Sequence, residues 1–171
     1  MNNVYTLQRS YLVATPKVSH ELLAGSLIYL YQVEDQIASG LILNKPHPDH
    51  QTLGDFLAYP NTILNRPVWQ GGPISKERVI CFHQKDSDIY ITDRLSNLSS
   101  EQLENSLFFS GQCMWDEAAL IKQIKQGDWM LIGSNKMIPN QLPAEMRVDY
   151  LMKSQGISRG RVIHGDVSEV V

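Results

Sequence analysis

Ala38–Asn44 (ASGLILN) is nearly continuous in apolar residues and is stopped by Lys45-Pro46 and Pro48. Such a run suits a strand covered on both faces, because a strand with one wet face alternates instead. Proline cannot donate to a ladder, so the strand has to end at this point. A chain holding this strand must place further elements on both sides of it.

The remaining segments supply them. Tyr11–Ala14 is apolar and is closed by Thr15-Pro16; the residue before proline is biased to extended geometry, so a strand is expected there. Ser26–Val33 is rich in β-branched and aromatic residues and reads as a strand. Val68–Gln70, Arg78–His83, the alternating Asp88–Thr92, Phe108–Cys113 and Trp129–Ile132 read the same way, with Gly71-Gly72-Pro73 as a tight turn. Ser19–Leu23 reads as a helical turn, and Leu53–Ala58 as a short helix capped by Thr52.

Three later helices are better signed. Ser99 and Gln102 form a capping box, Leu98 and Leu103 a hydrophobic staple, and Leu103 with Leu107 one helical face. Asp116 caps a helix over Glu117–Gln126 that Trp115 and Leu120 staple and Gly127 ends. Its buried stripe is Leu120, Ile121 and Ile124, with Lys122 and Lys125 near the negative end of the dipole. A last helix starts near Pro143 and ends near Gly156, with Met146, Tyr150 and Leu151 on its apolar side. Strands mixed with helices, without a regular β-α-β alternation, predict an α+β (mixed α/β) fold rather than a Rossmann fold.

The 171 residues contain no linker or repeat and fit one domain, 1–171. Met1–Ser10 lacks a basic start followed by an apolar run, and no apolar run approaches a membrane span, so a cytoplasmic protein is expected. Cys81 and Cys113 form no C-x-x-C pair, which excludes a zinc ribbon or a thioredoxin-like motif. The net charge of −3, with no basic stripe, argues against a nucleic-acid binder.

An ordered set of segments resembles the YqgE/AlgH family of bacterial proteins. They are Leu12-Val13-Ala14-Thr15-Pro16, Ser26–Leu30, Gly40-Leu41-Ile42-Leu43-Asn44-Lys45-Pro46, Thr52-Leu53, Gly71-Gly72-Pro73, His83 and Trp129. Order and spacing fit from about residue 10 to 157, which leaves 158–171 as a C-terminal extension. The resemblance implies one compact domain with a mixed β-sheet or barrel-like core flanked by helices. It carries no assigned activity, although some members bear the label of transcriptional regulator. The chain departs from the family pattern twice. Gln32-Val33 stand where a Glu-His pair is common, and Met114–Ile121 replaces a G-W-G-P-G-Q-L-E run, keeping only Trp115 and Leu120.

The candidate chemistry is thin. His47-Pro48-Asp49-His50 holds three ligating residues, but its spacing fits neither H-E-x-x-H nor a finger, so it reads as a solvated turn. Cys81 and His83 share one face of a strand, yet no orienting group or oxyanion site accompanies them. Gly71-Gly72 lacks the Gly-Lys-Ser/Thr ending of a P-loop. Trp69, Trp115 and Trp129 lack the basic neighbours of a base-stacking platform, and Arg159–Arg161 is too small a pair to change that. No catalytic set, metal or cofactor is expected. Family resemblance and strand-end positions together nominate Thr15, Asn44, Gly71, Gly72 and His83 as one functional surface. The expected function is a non-enzymatic regulatory or adaptor protein with a protein or small-molecule partner; the alternative is a hydrolase-like enzyme with a pocket near Asn44 and His83.

Overall fold

The computed structural model of the protein describes residues 6–57, 62–86, 88–133, 138 and 142–156. Ala58 at the end of one expected helix, the Arg159–Arg161 pair and the 158–171 extension lie outside these residues. Among the described residues eight strands run in chain order: β1 Ser10–Ala14, β2 Leu27–Glu34, β3 Ile37–Ile42, β4 Val68–Gln70, β5 Ile74–Lys85, β6 Asp88–Thr92, β7 Ser106–Asp116 and β8 Trp129–Gly133. Three α-helices accompany them among the described residues: α1 Ser100–Glu104, α2 Glu117–Lys125 and α3 Arg147–Ser154.

The strands join in the order β6-β5-β7-β3-β2-β1-β8, with β4 paired to β7 in parallel and the other described pairs antiparallel. This is an α+β fold with a mixed sheet. In a flat sheet of this order, β2 and β5 would lie about 14 Å apart, at about 4.8 Å per neighbour. Yet Tyr29 of β2 meets Phe82 of β5 edge-on with ring centroids 5.8 Å apart, and Phe82 meets Phe109 at 6.1 Å. The sheet therefore curls until its inner faces touch, which accounts for the barrel-like character.

Strand β7 makes the curl. Its first half pairs with β4 and β5, and Gly40 of β3 pairs with Cys113 in its second half. Between the halves sits Gly111 at φ 75, a left-handed conformation that L side chains rarely adopt. The chain leaving β4 crosses β7 here. A Cβ on Gly71 would lie 2.3 Å from the Gly111 carbonyl oxygen, and one on Gly72 would lie 2.1 Å from the Gln112 carbonyl carbon. Gly71-Gly72-Pro73 is thus not the expected tight turn between strands. β4 and β5 flank β7 on opposite sides, and the glycines let one backbone pass against another.

Three apolar clusters follow from the curl. The inner face packs Tyr11, Tyr29, Leu41, Phe82, Phe109 and Met130 against Val148, Leu151 and Met152 of α3. Outside β1–β3, Leu12, Ile28 and Ile42 pack against Leu120 and Ile124 of α2. Outside β5 and β7, Val79, Cys81 and Phe108 pack against Leu53, Ile63 and Leu103. The ASGLILN strand is covered on both faces, as its composition requires.

The capping signals place the helices well. Ser99 accepts from Gln102 N at 3.1 Å while Gln102 Oε1 accepts from Ser99 N at 2.8 Å, and Asp116 accepts from Ala119 N at 3.2 Å. Three expectations need correction. Leu107 does not continue the face of α1, because the chain leaves the helix at Asn105 and Leu107 pairs with Phe82 inside β7. Leu53–Asp55 is a single 3-10 turn, in which Asp55 accepts from Thr52 N at 2.8 Å. The buried side of α3 is Arg147, Val148, Leu151 and Met152, whereas Met146 and Tyr150 are exposed. Among the described residues no helix is long and apolar enough to cross a membrane.

Candidate functional site

The five nominated residues all carry structural work. Thr15, at the end of β1, donates from Oγ1 to the Gly127 carbonyl at 2.6 Å and accepts from Lys17 N at 3.3 Å, which ties β1 to the entry of β8. Asn44, just beyond β3, accepts from Leu27 N at 2.9 Å and donates to the Gly25 carbonyl at 3.0 Å. Lys45 adds a bond to the Ala24 carbonyl at 2.7 Å. By the antiparallel register, Thr15, Leu27 and Asn44 mark one end of the sheet. Gly71 joins β3 to β7 there, donating to the Ser110 carbonyl and accepting from Ile42 N, both at 2.9 Å. Gly72 is the crossing described above. His83 belongs to the outer face of β5, and the cleft it lines with Lys85, Ser99 and Asn105 does not include Asn44.

Cys81 and His83 do share a face, and Ser106 of β7 joins them. Ser106 Oγ lies 3.3 Å from His83 Nδ1 and 2.5 Å from the Gln102 carbonyl oxygen. A carbonyl can only accept, so the serine proton points there and His83 Nδ1–H donates to the serine oxygen. That leaves His83 Nε2 buried and without a partner among the described residues. Burial pushes the Cys81 thiol up, against a smaller opposing effect of Arg66. The trio holds a protonated thiol and a serine proton directed away from the imidazole, the reverse of an activated nucleophile. His47 Nδ1 accepts from Asp49 N at 3.2 Å in a local turn, and no cluster of three metal-ligating side chains occurs among the described residues.

Two polar features escaped sequence reasoning. The first is Arg147, a guanidinium 3% exposed at the start of α3. It donates to the carbonyls of Leu142 and Leu43 and lies 4.8 Å over the Trp69 ring. Burial lowers its pKa, opposed by nearby Glu145. Its spacing with Val148 and Leu151 (i, i+1, i+4) is the signal that could have found it.

The second lies at the opposite end of the curl from Thr15 and Asn44. A cavity of about 350 Å³ opens there between β2, β3, β5, β6 and β7, lined among others by Tyr31, Ser39, Arg78, Ile91, Arg94 and Gln112. Mouths of β-barrels are frequent ligand sites, and this one is lined more by polar than by apolar surface. Tyr31 OH donates to Gln112 Oε1, and Arg78 pairs with Asp93 across the rim. Gln112 follows Ser110-Gly111 in the middle of β7, and nothing local in the sequence singles it out.

Comparison with known proteins agrees with this fold. The family model described as AlgH-like (DUF179) matches residues 11–160. A UPF0301 protein of Erwinia tasmaniensis is 27% identical over 185 residues, covering 95% of this chain and 97% of the relative. One from Polaromonas is 26% identical over 174 residues, covering 88% and 89%. The solution structure of AlgH from Pseudomonas aeruginosa superimposes with a TM-score of 0.73 over 96% of both chains at 19% identity. A crystal structure from Corynebacterium diphtheriae gives 0.62 at 16% identity, over 95% of this chain and 94% of that one. Such distant structures speak to the fold alone, but the family model spans most of the sequence: the chain belongs to the AlgH-like family.

Proposed function

We propose that the protein is a non-enzymatic regulatory or adaptor protein that acts through a protein or small-molecule partner and does not contact DNA directly. The observation that carries this reading is the state of the Cys81–His83–Ser106 trio. Its thiol is held protonated by burial, and its serine proton is committed to a backbone carbonyl. The hydrolase reading loses support because Asn44 is engaged with Gly25 and Leu27 and does not line the cleft at His83. The charge of −3 supports the exclusion of direct DNA contact, since phosphate neutralisation supplies most non-specific affinity.

Affinity capture from the source cell at native expression tests the reading. A stoichiometric protein or small-molecule partner is expected. Recovery of the protein alone would overturn it, as would a salt-sensitive shift of duplex DNA near physiological ionic strength.

A further inference from the structure

The open mouth of the curled sheet is chemically unlike the rest of the inner face. Its polar groups form a directional chain. Ser39 lines the cavity beside Tyr31, and the Tyr31 hydroxyl proton goes to Gln112 Oε1. With its oxygen committed, the Gln112 amide must present its two N–H donors on the other side. Gln112 is 8% exposed, lines the cavity, and its Nε2 has no partner among the described residues. The amide nitrogen keeps its contact with the cavity and is free to donate to a group that enters it.

The rim adds charge. Arg78 is paired with Asp93, while the guanidinium of Arg94 has no ion pair among the described residues. Two arginines and one aspartate leave a single uncompensated positive charge at the cavity. Ile80, Ile91 and Met114 supply an apolar wall beside it. The complement of a wall, two N–H donors and one net cation is a body with a single monoanionic acceptor group. A carboxylate fits, because it carries one charge and two acceptor oxygens that can bridge an amide and a guanidinium. A phosphate monoester carries about −1.5 to −2 and overcompensates the site.

We infer that the mouth between β2, β3, β5, β6 and β7 binds a small organic carboxylate, its anionic head on the Gln112 amide and Arg94 and its apolar body on Ile80, Ile91 and Met114. The inference rests on the proposed role of the protein as a ligand-responsive, non-catalytic one, and it names the ligand class.

Titration of the isotopically labelled full chain by amide NMR tests it, with phenylacetate as probe and phenethylamine and phenyl phosphate as charge controls. Phenylacetate is expected to shift amides of Ser39, Arg94, Gln112 and Met114 saturably, and phenethylamine to leave them unmoved. Arg94→Gln, at an exposed position, is expected to weaken binding at least tenfold with the spectrum otherwise intact. Gln112→Glu, nearly isosteric, is expected to abolish phenylacetate binding and to admit phenethylamine. The inference is overturned if phenylacetate shifts no mouth residue, if all three probes act alike, if phenyl phosphate binds tenfold tighter than phenylacetate, or if Arg94→Gln leaves affinity unchanged. Failure to bind leaves the non-catalytic reading standing on a protein partner. Chemical conversion of a bound probe would overturn that reading and leave the site in place.

Discussion

The two ends of the curled sheet spend their polar groups in opposite ways. At the end marked by Thr15 and Asn44, side chains are bonded to backbone: Thr15 to Gly127, Asn44 to Gly25 and Leu27, Lys45 to Ala24, Arg147 to Leu43 and Leu142. At the mouth, polar side chains bond to one another, as Tyr31 does to Gln112 and Arg78 to Asp93. Residues of the first kind hold the chain in place. Residues of the second kind are arranged around a space. The segments that identify the family cluster at the first end, so a signature motif here marks architecture rather than chemistry. Both departures from the family pattern reach the second end, through Gln32 and Met114.

This contrast can be broken or sharpened by substitution. The largest effect is expected at the crossing that supports both ends. Gly72→Ala places a Cβ 2.1 Å from the backbone of Gln112, with no flexible side chain to yield. Overpacking usually costs about 1–3 kcal/mol, and a backbone-on-backbone clash should reach at least the top of that range. Urea melts measure it, and a loss under about 1 kcal/mol would show that the crossing has room. Arg147→Met comes next, at about 2 kcal/mol, because it leaves the carbonyls of Leu43 and Leu142 without their donor. Arg147→Lys should not rescue it, since an ammonium cannot reproduce the planar fork that bonds both carbonyls and covers Trp69. Full rescue by lysine would reduce the residue to a simple charge.

The thiols give a test by pH. Burial pushes Cys113 from 9.0 up to about 12, and Cys81 in the same direction. A group whose folded pKa is raised supports the fold fully below its unfolded pKa and loses that support as pH climbs toward the folded value. Stability should therefore fall between about pH 9 and 12, by up to about 1.4 kcal/mol per pH unit for Cys113, with Cys81 acting in the same direction. Cys113→Ala should flatten the slope seen in urea melts at pH 8 and 10.5, and an unchanged slope would count against the burial. Asn44→Ala should cost about 1 kcal/mol in the same melts, through the unmet Leu27 N–H. The smallest effect belongs to the mouth. Asp93→Asn breaks an exposed ion pair and should change stability by less than about 1 kcal/mol. A larger loss there would erase the distinction between the two ends.

The same contrast explains what could be read from the sequence. The closed end is written in local signals: Thr15-Pro16, Lys45-Pro46, Asp116 before its helix, and the Ser99–Gln102 box all act over a few residues. Strand positions and helix starts follow from them. Leu103 and Leu107 misled because a spacing of four serves a helix face and a strand face equally well. Arg147 was missed because a helix-start argument says where α3 begins but not which side it buries. The mouth draws on five strands between Tyr31 and Met114, and its residues are ordinary one by one. Only the register of β7 against β3 and β5 brings them together, and register is not a local property.

Strand β7 also sets a condition on biosynthesis. β3, β4 and β5 all pair with it, so none of those three pairings exists until Ser106–Asp116 has been made. β1 waits longer still for β8 at Trp129–Gly133. A growing chain that has reached only β6 carries a β1–β2–β3 meander and a β5–β6 hairpin with nothing to join them, and both keep open edges of the sort that recruit neighbouring chains. In the cell, the interval between translation of Thr92 and of Asp116 is thus when this protein is most exposed to aggregation, and when a holdase would have most to protect.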